Sequence, residues 1–139
     1  MISLIYASSA PRLIRHEDLI AILKKAREKN ERLGITGMLL YKNGNFLQVL
    51  EGPEKEVQEV FDTIMQDTRH NKVLLILKRT ISKRDFSEWQ MGFVNLNNPN
   101  LKDMPGYSRF LHESLDAEKF TQNPSFAHEF LLAFREGIR

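Results

Sequence analysis

Apolar residues in this chain fall into short runs with a period of two, separated by two stretches with a period near that of a helix. Ile2, Leu4 and Tyr6 share one face of an opening strand, Ile2 to Ser8. From about His16 to Leu33 the apolar stripe reads Leu19, Leu23, Ala26 and then Asn30, which predicts a helix. Gly34 closes it. Ile35 to Tyr41 predicts a second strand, and Lys42-Asn43-Gly44 a hairpin turn, since Asn-Gly favours the backbone of a tight hairpin. The third strand, Gly44 to Gly52, is an apolar run bounded by glycines. Pro53 opens a second helix with Glu54 and Glu56 at its positive end. Its stripe is Val57, Phe61, Ile64 and Thr68, with Val60 beside it. Val73 to Ile81 predicts a fourth strand, and Ser87 to Val94 a fifth that pairs with it through a turn at Lys83, Arg84 and Asp85.

The order βαββαββ predicts an α+β fold, a ferredoxin-like sheet with both helices on one face. In that topology the first and third strands are neighbours, so Tyr6 and Gln48 lie side by side. After Asn95 the texture changes to a linker, Asn-Leu-Asn-Asn-Pro-Asn. Tyr107–Phe120 and Ser125–Ile138 then read as two helices that should cover the sheet face left bare. The expected division is a domain over residues 1–95 and a helical extension over 96–139.

Three polar residues interrupt the apolar layer. Gln48 shares a strand face with Phe46 and Leu50, and an unpaired buried amide costs ~1–3 kcal/mol. Tyr6 and Asn30 are phased toward the same layer. The residues leave two readings open: a small hydrogen-bond network that fixes packing, or a pocket for a flat ligand, apolar on its faces and amide-rich at its edge.

Composition narrows the alternatives. The 139 residues suffice for one domain, and 42% apolar content for a real core. Net charge is +2 with both signs interspersed, which is no nucleic-acid stripe. The absence of cysteine removes disulfides, thiolate metal sites and cysteine catalysis. There is no basic leader segment and no apolar run of membrane-span length, so a soluble cytoplasmic protein is expected, with no contact to membrane or nucleic acid. No nucleophile–base pair or metal cluster stands out, so catalysis is not expected.

Five segments together carry a resemblance. They are Leu4-Ile5-Tyr6-Ala7-Ser8, Asn30 with Gly34 to Tyr41, Phe46 to Gly52, Asp67-Thr68-Arg69-His70, and Phe86-Ser87-Glu88-Trp89-Gln90-Met91. In this order and spacing the chain resembles the BLUF domain, a family of blue-light sensors using flavin, over residues 1 to about 95. The remainder resembles the helical extension of short family members. The resemblance implies a non-covalent flavin between the two helices: FAD, with FMN or riboflavin as alternatives. It implies that Tyr6 and Gln48 form a hydrogen-bonded pair at the reactive edge of the ring and that Asn30 holds a carbonyl–imide edge. Asp67, Arg69 and His70 would lie near the far edge and ribityl-phosphate, and Ile64 is counted among the flavin-binding residues. Trp89 and Met91 match a fifth-strand pair linked to signalling; both are counted with Tyr6 and Gln48 as photochemical residues, and Met91 also among the flavin-binding ones. The sequence departs from a frequent family pattern at Ala26, where a serine is common, and carries Lys29 at a variable position. Output is then expected through a downstream signalling protein, with self-association of the chain. The competing readings are a small flavin electron carrier and an RNA-binding module on the same sheet.

Overall fold

Gly34 takes a left-handed backbone (φ 70°) and its N–H returns to the carbonyls of Asn30 and Glu31, which ends the first helix where a side chain would be strained. The computed structural model describes residues 1–10, 15–42, 44–67, 71–87, 91–95, 125, 127–129 and 131–132. Its elements are β1 (Ile2–Ser9), α1 (His16–Leu33), β2 (Thr36–Lys42), β3 (Asn45–Gly52), α2 (Glu54–Gln66), β4 (Asn71–Thr80) and β5 (Gly92–Asn95). Acidic residues in the first turn of each helix, Glu17 and Asp18 in α1 and Glu54 and Glu56 in α2, complement the helix dipole. Lys42 pairs with Asn45, so the β2–β3 hairpin has a two-residue loop; Gly44 in it has φ 82°, while Asn43 lies outside the described residues.

The sheet runs β4-β1-β3-β2-β5. β1 is central and antiparallel to both β3 and β4, and β2 is antiparallel to β3. These four strands and two helices form the expected ferredoxin-like arrangement. Leu19 and Leu23 of α1 and Val57, Val60 and Phe61 of α2 pack with Ile2, Leu4, Leu39, Phe46 and Leu50 in one core. Each fully buried aliphatic side chain contributes ~1.5–3 kcal/mol. The opposite face is also closed: Ile5, Leu40 and Leu47 are fully buried, as are Phe86, Ala127 and Leu131. Ala127 and Leu131 are one turn apart on a helical stretch within the predicted second tail helix. The first predicted tail helix, Tyr107–Phe120, lies outside the described residues. None of the described helices is long and apolar enough to cross a membrane.

The fifth strand differs from expectation. It begins at Gly92 rather than Ser87, and it runs parallel to β2 at the far edge of the sheet instead of forming a hairpin with β4. The chain is held there by long-range bonds to the turn residues. Arg84 does not make a hairpin corner. Its guanidinium donates to the carbonyls of Gly34 (2.7 Å) and Glu51 (3.1 Å) and to the Thr36 hydroxyl (2.9 Å). The Glu51 carboxylate accepts the backbone N–H groups of Asp85 (2.7 Å) and Phe86 (2.8 Å). These bonds draw the chain across the end of the sheet where β1 starts and β3 ends, and Phe86 is buried there.

Glu51 has no solvent exposure. Burial pushes its carboxyl above the ordinary 4.5, against the two backbone N–H donors that pull it down. The folded-state value therefore lies above the unfolded one. Stability from this group is fully present below the unfolded value and is lost as pH rises through the folded value. Glu51→Gln should remove that component. It also turns an amide donor toward one of the two N–H groups, at a cost of ~1–3 kcal/mol. Urea unfolding followed from pH 4.5 to neutrality should give a lower but flatter stability profile in the variant. A slope identical to wild type means that Glu51 does not titrate in this way.

Candidate functional site

Tyr6 and Gln48 face each other in register across β1 and β3. Strand alternation turns both toward the helices. The Tyr6 hydroxyl donates to Gln48 Oε1, and Gln48 Nε2 donates to Met91 Sδ (3.2 Å). All three residues are buried. These partners fix the amide: its oxygen meets a donor and its nitrogen an acceptor. The second N–H of Gln48 is left for the adjoining space. Burial, and secondarily the charge of Asp67, push the Tyr6 phenol well above its ordinary 10, so it is held as the neutral donor. Phe61 of α2 lies against the ring at 5.5 Å between centroids.

Beside this pair is a cavity of about 200 Å³ between α1, α2 and the sheet. A single water needs only ~10–15 Å³ of such space, so this is room for a ligand. Ile22 and Ala26 of α1, Val60 and Ile64 of α2, and Leu39 and Phe46 of the sheet provide apolar walls. Gln48, Asn30, Thr63 and Asp67 provide a polar border, and Lys25 and Lys29 a cationic one. Asn30 is 3% exposed, faces the cavity, and has no side-chain hydrogen bond among the described residues. A buried amide in that state asks for a ligand partner. Apolar flat walls with amides at the rim fit the isoalloxazine of a flavin, whose ring is apolar on its faces and polar along one edge.

The structure therefore brings together Tyr6, Asn30, Gln48, Ile64 and Asp67 on one cavity, with Met91 behind Gln48. Arg69, His70 and Trp89 lie outside the described residues. Sequence reasoning missed Ile22, Lys25 and Thr63. Ile22 sits one turn before Ala26 and could have been found by widening the helix stripe. Lys25 and Lys29 are one turn apart, but the hydropathy pattern assigns lysines to solvent, so nothing in it points them inward. Among the described residues no cluster of His, Asp or Glu is assembled to hold a metal.

On the sheet face away from α1 and α2 the central-strand residues Ile5, Leu40 and Leu47 are fully buried, so these strands offer no exposed aromatic platform to RNA bases. Comparison with known proteins agrees with the flavin geometry. The family model of sensors of blue-light using FAD, the BLUF family, matches residues 1–92. The chain is 40% identical over 90 residues to a photoactivated adenylate cyclase subunit beta of Euglena longa. It is 32% identical over 80 residues to the blue light- and temperature-regulated antirepressor BluF of Escherichia coli (strain K12). These matches cover 64% and 58% of this chain but only 10% and 19% of those proteins, so the chain corresponds to a small part of each. Among solved structures, the dark-state structure of the BLUF protein BlrB superposes with a TM-score of 0.75 at 28% identity, covering 97% of this chain and 95% of that one. The photo-activated state of BlsA superposes at 0.70 with 27% identity, covering 94% of each. With a family match over most of its length, and the Tyr6–Gln48 pair bordering an amide-rimmed cavity, the chain belongs to the BLUF family of blue-light flavin sensors.

Proposed function

We propose that the light response of this flavin sensor runs through the chain Tyr6–Gln48–Met91, with FAD as the physiological flavin. The observation that carries it is the pair of hydrogen bonds through one buried amide, at the wall of a ligand-sized cavity. A bound flavin supplies blue absorption and, when excited, a strong one-electron oxidant. Asn30 and Gln48 would hold its polar edge, Ile22, Val60 and Ile64 would line its faces, and Asp67 would border the rest; the resemblance adds Arg69 and His70 to that border. Tyr6 would give up an electron to that oxidant, and its phenolic proton would pass along the existing hydrogen bond to Gln48 Oε1. When the electron returned, the proton would return with it, leaving Gln48 with its amide ends exchanged or as the imidic tautomer. No substrate bond is made or broken.

A flip sets Gln48 Oε1 against Met91 Sδ, two acceptors facing each other, so Met91 loses its donor. That loss, together with Trp89, is the proposed start of the output. It biases two packings of the chain around β5 and the 96–139 extension rather than driving catalysis. A downstream protein, and a second copy of this chain, read that bias in the cytoplasm. The cyclase relatives support this reading, since there a light sensor and an effector share one chain.

The direct test is the absorption spectrum of the purified, flavin-loaded chain under blue light. A red-shifted state that reverts in the dark is expected, and a spectrum unchanged by illumination sinks the proposal. Tyr6→Phe should keep flavin but lose the shift, because the ring volume is retained and the phenolic proton is not. Stability should fall by ~1–3 kcal/mol, because the buried Gln48 Oε1 loses its donor. A normal photocycle in this variant removes Tyr6 from the donor role. Asn30→Ala should lower the flavin content of purified protein without lowering apo-protein stability, since alanine is the better helix former. Wild-type flavin content in that variant would show that Asn30 does not hold the ring.

A further inference from the structure

Met91 is tied at two points, and only one of them is Gln48. The Arg27 side chain reaches from α1 and donates from Nε to the Met91 backbone carbonyl at 2.9 Å. Met91 directly precedes the first ladder pair of β5, Met38 with Gly92. β5 has four residues and, among the described residues, a single hydrogen-bonded neighbour, β2. It is the shortest described strand of the sheet, and Arg27 fixes the chain at the point where its ladder begins. The other end of the contact is equally well placed. Arg27 adjoins Ala26 and lies three residues before Asn30, both on the cavity wall. Gly37 brings β2 close to the β3 backbone, where a Cβ would stand only 1.9 Å from the Val49 carbonyl oxygen, and the Met91 methyl packs at ordinary contact distance, 3.4 Å, from the same point.

From these contacts we infer that Arg27 is a positioning residue for the light response, a tether that keeps Met91 within reach of Gln48 while the amide is rearranged. This rests on the Tyr6–Gln48–Met91 reading above. In the arrangement described, the Met91 sulfur has the Gln48 donor and its carbonyl has the Arg27 donor. After the flip the first is gone and the second remains. Return to the starting state requires the sulfur to be met again by Gln48 Nε2. Arg27 holds the main chain in place for that encounter. Without it, Met91 and the start of β5 are free to drift from the cavity, and recapture slows. The guanidinium belongs to an exposed residue, so its replacement leaves the core untouched.

The experiment compares wild type, Arg27→Ala and Arg27→Lys as flavin-loaded full chains. Dark recovery of the absorption shift is timed, and hydrogen exchange of residues 91–95 is followed in darkness, in light and in flavin-free protein. Arg27→Ala should load flavin and form the red-shifted state as wild type does, and recover more slowly by roughly two- to tenfold, the range given by losing one ordinary hydrogen bond. Its 91–95 amides should exchange faster even without flavin, and the light-minus-dark difference there should grow. Lysine keeps a donor on a long stem and should recover within about twofold of wild type, given the modest net worth of one such bond. Recovery in Arg27→Ala that is unchanged or faster overturns the tether, as does unchanged exchange at 91–95. A lysine variant that recovers like alanine overturns the hydrogen bond as the cause. If wild type itself shows no reversible shift, the underlying light-response reading fails. If wild type cycles and Arg27→Ala matches it, only the tether fails.

Discussion

A primary amide taken out of water must find its partners inside the protein, and the placement of Gln48 organises much of this molecule. The amide is buried in a layer otherwise made of Phe46, Leu50, Leu39 and the helix side chains. Satisfying it requires an oxygen-directed donor from β1 and a nitrogen-directed acceptor from near β5. The first demand fixes the β1–β3 register, because a one-residue slip would send Tyr6 to the other face. The second brings the residue before an edge strand into the core. The remaining amide hydrogen, and an Asn30 side chain with no hydrogen bond among the described residues, then border a cavity large enough for a ligand. A tightly packed apolar layer would be more stable here; this one keeps its polar groups in an arrangement with more than one way to be satisfied.

Much of the fold was legible because local signals agreed with each other. The α1 stripe, the Gly34 stop, the Asn-Gly hairpin and the apolar β3 run place their elements within a residue or two of the observed ends. The pairing of Tyr6 with Gln48 followed from topology and strand phase alone. The fifth strand was misread for a definable reason. Ser87 to Val94 is β-rich and follows a polar triplet, so a hairpin with β4 is the cheapest local interpretation. What overrides it is long-range: Glu51, more than thirty residues earlier, binds the backbone of Asp85 and Phe86. A charged residue at the end of an apolar strand gives no sign in sequence that it will be fully buried and serve as an anchor. The same holds at the cavity, where Asn30 was legible as an amide on an apolar stripe, whereas Lys25, Lys29 and Arg27 have the pattern of ordinary solvated helix residues.

The closed outer face adds a second layer to this arrangement. His128, on the helical stretch that includes Ala127 and Leu131, approaches Arg79 of β4 (3.1 Å) and Asp85 of the crossover (3.5 Å). A partly exposed hydrogen bond and ion pair of this kind add little stability. They do tell how the tail stretch is aligned: against the crossover segment and the β4 edge, on the side of the sheet away from the cavity.

The crossover has a mechanical consequence. Arg84 and the Asp85–Phe86 backbone are clamped to Gly34, Thr36 and Glu51, at the end of the sheet where β1 begins. Such a clamp acts as a fulcrum. Displacement arising at Met91 meets a fixed point only a few residues upstream and has little way back into β4. Downstream lies a four-residue strand paired, among the described residues, with β2 alone. In the light response proposed above, the chain path would therefore favour movement toward the C-terminal part of the protein over movement back into the strands that hold the pocket together.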